Sequence, residues 1–214
     1  MSMIVGTDFD NTLVGYDDVF LEAAREAGLM GPGEPMGKRA LRDALRERAG
    51  GEMSWRELQA LVYGERMGRA RPHDGAIECL TRLRAAEIPC FVVSHKGSHA
   101  AIGDRTVDLR GPALEWLAAH GCFSAEGPGM TRDRVFFEDT RHDKLARIAA
   151  LGVTHFVDDL VETFLEPEFP AGVVKILFDP SGAEPLHGMR SFSRWDDIGR
   201  YLLDAARLET ASQR

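Results

Sequence analysis

The chain has 214 residues and a formal net charge of −8 at pH 7, with 44% apolar and 28% charged residues. This length suits one well-filled core with an added subdomain and is too short for two ordinary domains. The negative charge argues against nucleic acid as the main partner, because binding to phosphate backbones requires a basic surface.

No apolar run approaches the length of a membrane span, and the first predicted strand begins at about residue 3. We therefore expect a cytoplasmic protein with no membrane contact and no secretory leader. The cysteines Cys79, Cys90 and Cys122 are odd in number and widely spaced, which favours buried free thiols. Zinc is not expected, because no ligands are paired at short spacing.

Short apolar runs rich in β-branched and aromatic residues predict five buried parallel strands. The runs cover residues 3–6, 89–94, 134–137, 154–158 and 173–178. Stretches with helical periodicity separate them, such as the face shared by Leu145, Ile148 and Ala149. This alternation predicts a doubly wound, Rossmann-like α/β fold with a parallel sheet.

Residues 16–73 interrupt the alternation because they contain no good strand. Helix-like segments cover residues 18–27, 38–49 and 54–67, separated by turns with Gly and Pro. We expect a small all-helical cap inserted into an α/β core formed by residues 1–15 and 74–214. Such a cap would exclude water and select the substrate; an insertion that only adds core is the alternative.

Two carboxylates, Asp8 and Asp10, follow the first predicted strand. Ligands of open parallel sheets bind at the carboxyl ends of the strands, where both side chains are expected to project. Carboxylates this close repel each other unless a cation lies between them or one is protonated. On these grounds alone, the pair predicts a cation site or a shared proton.

Other polar residues lie at the ends of later strands. Thr12 extends the acidic segment, Ser94 ends the second strand, Lys144 opens the helix after the third, and Asp158 and Asp159 end the fourth. Each is weak evidence alone, since a Ser or Asp after a strand is often a helix cap. Their combined order is the informative observation.

These four motifs resemble those of the haloacid dehalogenase superfamily of phosphohydrolases: Asp-x-Asp-x-Thr, a Ser or Thr, a helix-borne Lys and an acidic pair. The resemblance covers the α/β core, roughly residues 1–14 and 74–180. It implies a phosphatase acting on a small phosphomonoester, such as a sugar phosphate or a nucleoside monophosphate. A phosphotransferase with the same covalent step and a non-catalytic phosphate-binding or interaction protein stay open, as does homo-oligomerisation.

The resemblance implies a role for each acidic residue. Asp8 would attack phosphorus to form an aspartyl-phosphate, and Asp10 would protonate the leaving alkoxide and then activate water. The implied cofactor is Mg²⁺, bound by the Asp8 carboxylate, the Asp10 backbone carbonyl and the Asp158 carboxylate. Asp159 would bind it directly or through water, or would instead orient Lys144.

The remaining motif residues would contact the phosphate. Thr12 and Ser94 would donate hydrogen bonds, and Lys144 would neutralise the transferring oxygens. Lys96, two residues after Ser94, is a second candidate for that neutralising role. Sequence alone does not choose between the two lysines.

Further cations are candidates for binding the rest of the substrate. Arg105 is a possible anchor in the polar segment 95–110, which we predict to be a long active-site loop. The cap arginines are less specific candidates, because most such charges form a solvated face: Arg39, Arg42, Arg46, Arg66 and Arg69. Only four of the 26 basic residues are lysines, and this bias either is genomic or marks places that need a compact ammonium: Lys38, Lys96, Lys144 and Lys175.

Overall fold

The computed structural model describes residues 2–31, 37–102, 105–182 and 188–212. Within these ranges the side chains of residues 101, 102, 105, 210 and 212 are not described. None of the helices in this part of the chain combines the length and the apolar character that a membrane span requires.

The described residues form ten strands and eight α-helices. The strands are β1 (Val5–Thr7), β2 (Val14–Gly15), β3 (Arg71–Pro72), β4 (Cys90–His95), β5 (His99–Ile102), β6 (Arg105–Asp108), β7 (Val135–Glu138), β8 (His155–Asp158), β9 (Val174–Phe178) and β10 (Arg190–Phe192). The helices are α1 (Asp17–Glu26), α2 (Lys38–Arg46), α3 (Gly51–Tyr63), α4 (Ala76–Ala85), α5 (Arg110–Ala119), α6 (Arg141–Ala150), α7 (Val161–Leu165) and α8 (Trp195–Ser212). Short 3₁₀ helices cover Met67–Arg69 and Arg132–Arg134.

Six strands form one parallel sheet in the order β10-β9-β8-β1-β4-β7. The central strand β1 pairs with β4 on one side and β8 on the other, so that Thr7 lies between Val92 and Val157. The strand order reverses at β1, which makes its carboxyl end a topological switch point, the usual place for a ligand. All five predicted strands are confirmed, with ends shifted by one or two residues.

Helices cover both faces of this sheet. Consecutive side chains of a strand point to opposite faces, and on β4 Val92 and Val93 belong to two different hydrophobic clusters. Leu80 of α4 joins the first cluster, whereas Leu145 and Ile148 of α6 join the second. The predicted doubly wound α/β class is therefore confirmed.

The chain between β2 and β3 is helical. Helices α1, α2 and α3 pack on one another, and β2 pairs antiparallel with β3 where the chain leaves and re-enters the sheet region. Phe20 stacks on Trp55 with ring centroids 5.0 Å apart, and both belong to the same hydrophobic cluster as Phe9 and Trp116. The helices of the insertion thus share a core with the sheet, while its division at residues 15/16 and 73/74 stays a prediction.

Three parts of the structure differ from the sequence expectations. The predicted long loop over 95–110 is wrong, because β5 and β6 pair antiparallel there, from His99 with Asp108 to Ile102 with Arg105. Strand β10 was not predicted, and neither was the pair of β2 and β3, although β3 lies inside the stretch 16–73 that is expected to contain only helices. These strands have only two to four residues, too few to show the apolar pattern that predicts a strand.

The three cysteines are free and buried, as expected. Burial raises the pKa of the Cys79, Cys90 and Cys122 thiols to about 12. Since the thiolate is the reactive form, we expect none of them to react with Ellman's reagent in the folded protein at pH 8. In guanidinium chloride all three should react, and rapid reaction of any one thiol in the folded protein would contradict this prediction.

Candidate active site

A tight loop after β1 presents Asp8 and Asp10. The Asp8 amide donates to Val157 O at 2.8 Å, which extends the pairing of β1 with β8 by one residue. The chain then turns, with Leu13 N donating to Phe9 O at 3.0 Å and Asn11 adopting a positive φ of 59°. The fully buried Phe9 ring anchors the loop, so the carboxylates before and after it are fixed at the end of β1.

Lys144 lies between two carboxylates from neighbouring strands. Its Nζ donates to Asp8 Oδ1 at 2.7 Å and to Asp158 Oδ2 at 2.6 Å, and all three side chains are buried. Helix α6 carries the lysine, and its start is fixed by the N-cap residue Thr140, whose hydroxyl accepts from the amide of Asp143 at 3.0 Å. The lysine predicted at the start of this helix therefore faces the predicted nucleophile.

Burial opposes the charged form of both Asp8 and Lys144, but the neighbouring carboxylates act on the two residues in opposite ways. Burial raises the pKa of Asp8 from 3.8 to about 6, against the attraction of Lys144 and with the repulsion of Asp158 and Asp10. Burial also opposes the charge of Lys144, but the carboxylates of Asp158 and Asp8 outweigh it and raise its pKa above the ordinary value. One ammonium thus compensates several carboxylates only in part.

Thr12 fixes the third carboxylate of this cluster. Its hydroxyl accepts from the Asp159 amide at 3.0 Å and donates to Asp159 Oδ1 at 3.1 Å. Burial, followed by the negative charges of Asp8 and Asp158, raises the pKa of Asp159 to about 8. In the structure Thr12 is therefore a positioning residue for Asp159, and its predicted hydrogen bond to phosphate stays a prediction.

Three carboxylates meet at the end of β1 and β8. Oxygen atoms of Asp8, Asp158 and Asp159 lie within 4.8 Å of one another. An all-oxygen, acidic donor set suits Mg²⁺, which takes a few carboxylate ligands and keeps water or phosphate for the rest. The excess of carboxylate over ammonium also favours a bound cation. The part of the ligand set assigned to the Asp10 backbone carbonyl stays a prediction.

Addition of Mg²⁺ is expected to stabilise the protein, because a ligand that binds only the folded state shifts unfolding by mass action. At a Mg²⁺ concentration of 100 times the dissociation constant, the free energy of unfolding should rise by about 2.7 kcal/mol. Thermal unfolding followed by circular dichroism, with and without Mg²⁺ at equal ionic strength, measures it. Asp158→Asn should lose most of the gain, and an equal shift in that variant would place the ion elsewhere.

Lys96 has a different partner from Lys144. Its Nζ lies 3.1 Å from both carboxylate oxygens of Asp10, and the side chain is buried. The Tyr16 hydroxyl donates to the same carboxylate at 2.5 Å. Burial and then the Asp10 charge raise the pKa of Tyr16 well above its usual value, so the phenol stays a donor. Geometry therefore places Lys144 at Asp8 and Lys96 at Asp10.

For two other predicted residues, Ser94 and Arg105, the structure gives the position in the fold but not the predicted contact. Ser94 is buried near the end of β4, two residues beyond the pairing of Val92 with Thr7, at the same edge as Asp8. Its hydrogen bond to phosphate stays a prediction. Arg105 begins β6, but its side chain lies outside the described part of the structure, so its role as an anchor is untested.

Sequence reasoning missed Tyr16, and it singled out Lys38 only as a scarce lysine without placing it at this loop. Lys38 Nζ donates to Asn11 Oδ1 at 3.0 Å, directly beside Asp10. Three of the four lysines thus converge on one loop, so the scarcity of lysine was the available signal. Four of the five cap arginines instead form ion pairs within the insertion: Arg42 with Asp43, Arg46 with Glu52, Arg66 with Glu26, and Arg69 with Glu22.

No family model and no curated protein matches this chain. Solved structures do match along almost its whole length. A haloacid dehalogenase superfamily hydrolase from Ehrlichia chaffeensis is 17% identical, with 95% of this chain and 98% of that chain covered and a TM-score of 0.51. A family IA, variant 3 hydrolase of that superfamily from Entamoeba histolytica is 14% identical, with 91% and 94% covered and a TM-score of 0.57.

The chain has the fold of the haloacid dehalogenase superfamily. The same fold also occurs in the L-2-haloacid dehalogenase RSc1362, which is 15% identical, with 95% of this chain and 100% of that chain covered and a TM-score of 0.51. Because a dehalogenase also has this fold, the fold does not determine the reaction. The choice depends on the residues of the site.

Proposed function

We propose that this protein is a Mg²⁺-dependent phosphatase that hydrolyses a small phosphomonoester through an aspartyl-phosphate. The observation that carries the proposal is the separate placement of two carboxylates on one loop. Asp8 lies with Lys144 and Asp158, whereas Asp10 lies with Lys96 and Tyr16. Different partners suit different roles, one as nucleophile and the other as acid and base.

In the first step an Asp8 oxygen attacks phosphorus, and the bond from phosphorus to the ester oxygen breaks. At pH 7 the carboxylate is the main form of Asp8, because its pKa is about 6. Asp10 gives a proton to the departing alkoxide. Lys144 contacts both Asp8 and Asp158, so it is placed to bind the oxygens of the transferring group.

In the second step Asp10 takes a proton from water, and the water oxygen attacks phosphorus. The bond between phosphorus and the Asp8 oxygen then breaks, which regenerates the carboxylate and releases inorganic phosphate. Mg²⁺ held by Asp8, Asp158 and Asp159 would offset the negative charge of the phosphoryl group. Thr12 holds the third of these carboxylates in place.

A cleft beside the site supports a small-molecule substrate. It has a volume of about 700 Å³ and is lined by residues that include Asn11, Tyr16, Lys38 and Asp159. Small metabolites occupy pockets of this size. A sugar phosphate or a nucleoside monophosphate would fit, and a phosphotransferase would differ only in the acceptor that replaces water in the second step.

Dehalogenation is a second candidate because a dehalogenase shares the fold. That reaction displaces a halide, which needs neither a metal nor a proton donor for the leaving group. Phosphoryl transfer therefore suits this site better, because three carboxylates cluster at Asp8, Asp158 and Asp159 and Asp10 is paired with Lys96.

The test is release of phosphate from p-nitrophenyl phosphate and from a panel of metabolite phosphates, with Mg²⁺ or with EDTA. We expect turnover that requires the metal. Chloride release from 2-chloropropionate is measured in parallel and is expected to be absent. Halide release without phosphate release would favour the dehalogenase, and binding of phosphate without any turnover would favour a non-catalytic protein.

A further inference from the structure

Lys38 occupies an unusual position for a surface-helix lysine. It is the first residue of α2, yet its side chain reaches across to the loop of the acidic residues and donates to Asn11 Oδ1 at 3.0 Å. It is the only lysine in the insertion, where the other basic residues are arginines. The insertion thus delivers one compact ammonium to the side of the loop that carries Asp10.

Aromatic rings surround the Lys38 ammonium. Nζ lies 5.5 Å from the Tyr16 ring centroid, 5.2 Å from Phe20 and 5.3 Å from Tyr63. Burial lowers the pKa of Lys38, although the negative charges of Asp10 and Asp159 oppose that change. The aromatic rings and one neutral amide provide only part of the stabilisation that water gives to an ammonium group. An anionic partner would therefore stabilise this ammonium more than it would a solvated lysine.

Lys38 differs from four arginines of the insertion that pair with carboxylates, namely Arg42, Arg46, Arg66 and Arg69. Arg46, on the same helix, forms an ion pair with Glu52 at 2.7 Å. The acceptor of the Lys38 ammonium is the neutral Asn11 side chain, and Lys38 lines the cleft of about 700 Å³. An anionic ligand group in the cleft would offer a charge-assisted hydrogen bond that Asn11 does not.

The orientation of the substrate in the site follows from the proposed function, on which this inference rests. With phosphorus at Asp8, the leaving group lies on the side of the acid that protonates it, Asp10. Lys38 contacts the residue after Asp10, and Asp10 is the carboxylate that acts on it most strongly, so its ammonium lies beside the proposed acid. Negatively charged residues also border the cleft, among them Asp17, whose carboxylate accepts from the Lys38 amide at 3.2 Å.

We propose that Lys38 is a specificity-determining residue that binds a second anionic group on the substrate. The substrate class is then a phosphomonoester whose leaving group carries a carboxylate or another phosphate. Lys38 would exchange Asn11 for this group as its hydrogen-bond partner. Esters with an uncharged leaving group would bind more weakly at the same site.

Binding of phosphonates tests this inference without turnover, because their carbon–phosphorus bond replaces the ester bond. The 214-residue chain with saturating Mg²⁺ is titrated calorimetrically with propylphosphonate and with 3-phosphonopropanoate, in which a carboxylate replaces the terminal methyl group. We expect 3-phosphonopropanoate to bind about 10-fold more tightly, as a charge-assisted hydrogen bond allows. Lys38→Met should reduce the ratio to about one, and Lys38→Arg should retain part of it.

Arg46→Met is the matched control, because it removes a cation of similar size from the same helix and should leave the ratio unchanged. Equal affinities in the wild type, or a preference that survives Lys38→Met, would overturn the inference. The turnover counterpart compares propyl phosphate with 3-phosphooxypropanoate. Absence of phosphate release from every ester would refute the proposed function, whereas release without preference would refute only the role of Lys38.

Discussion

Replacement of Asp8 by asparagine is expected to lower phosphate release by a factor on the order of 10⁴ or more. An amide oxygen is a far weaker nucleophile than a carboxylate, so the covalent intermediate would not form. The two side chains have nearly the same shape, and the amide oxygen still offers Lys144 an acceptor in place of Asp8 Oδ1. Initial rates with p-nitrophenyl phosphate and saturating Mg²⁺ measure the loss.

A surface variant controls for the change of charge. Asp204→Asn removes an exposed carboxylate on α8 that pairs with Arg207, and its rate should equal that of the wild type. Circular dichroism should show that Asp8→Asn is folded, and mass spectrometry should show that the asparagine has not reverted by deamidation. A folded, unreverted variant that keeps more than about one tenth of the wild-type rate would exclude Asp8 as the nucleophile.

The parallel sheet was predictable because its strands are buried on both faces. Apolar runs such as 89–94 follow from that burial, and their polar ends follow from the ligand-binding edge. The hairpin of β5 and β6 carries no such pattern: His99 and Ala100 pair with Asp108 and Val107 through backbone hydrogen bonds that most residues can make. Short strands of this kind depend on tertiary contacts that a local pattern does not record.

The sequence predicted the residues of the candidate site that lie at strand ends. It did not predict the residues that the insertion brings to the site. Asp8 and Asp158 meet because β1 and β8 are neighbours in the sheet. Tyr16 and Lys38 are separated by 22 positions, and only the packing of α1, α2 and α3 brings both to the same loop. Local sequence contains no record of that packing.

The roles of the two lysines could be distinguished only from interatomic distances. Lys96 and Lys144 follow neighbouring strands of the sheet, β4 and β7, and either could have reached the nucleophile. In the structure Lys96 pairs with Asp10, and Lys144 pairs with Asp8. This division assigns one cation to each carboxylate, which supports their different roles in the proposed reaction.

Replacement of Lys144 by methionine is expected to destabilise the metal-free protein by about 3–5 kcal/mol, the usual effect of removing one partner of a buried ion pair. Methionine fills most of the volume but leaves the buried carboxylates of Asp8 and Asp158 without their ammonium. Urea unfolding at pH 8 in EDTA measures the loss. Arg200→Met, which removes an exposed cation paired with Asp197, should change stability by no more than about 0.5 kcal/mol.

The pH dependence of the variant distinguishes lost charge compensation from lost packing. Burial already raises the pKa of Asp8 to about 6 with Lys144 present, and loss of the ammonium should raise it further. A carboxyl whose pKa is higher in the folded than in the unfolded state takes up protons on folding, so its effect favours stability at low pH and opposes it at high pH. Lys144→Met should therefore recover stability relative to the wild type as the pH falls from about 8 to about 5. A deficit that does not change with pH would mean that packing, and not the compensation of Asp8 and Asp158, is what Lys144 contributes.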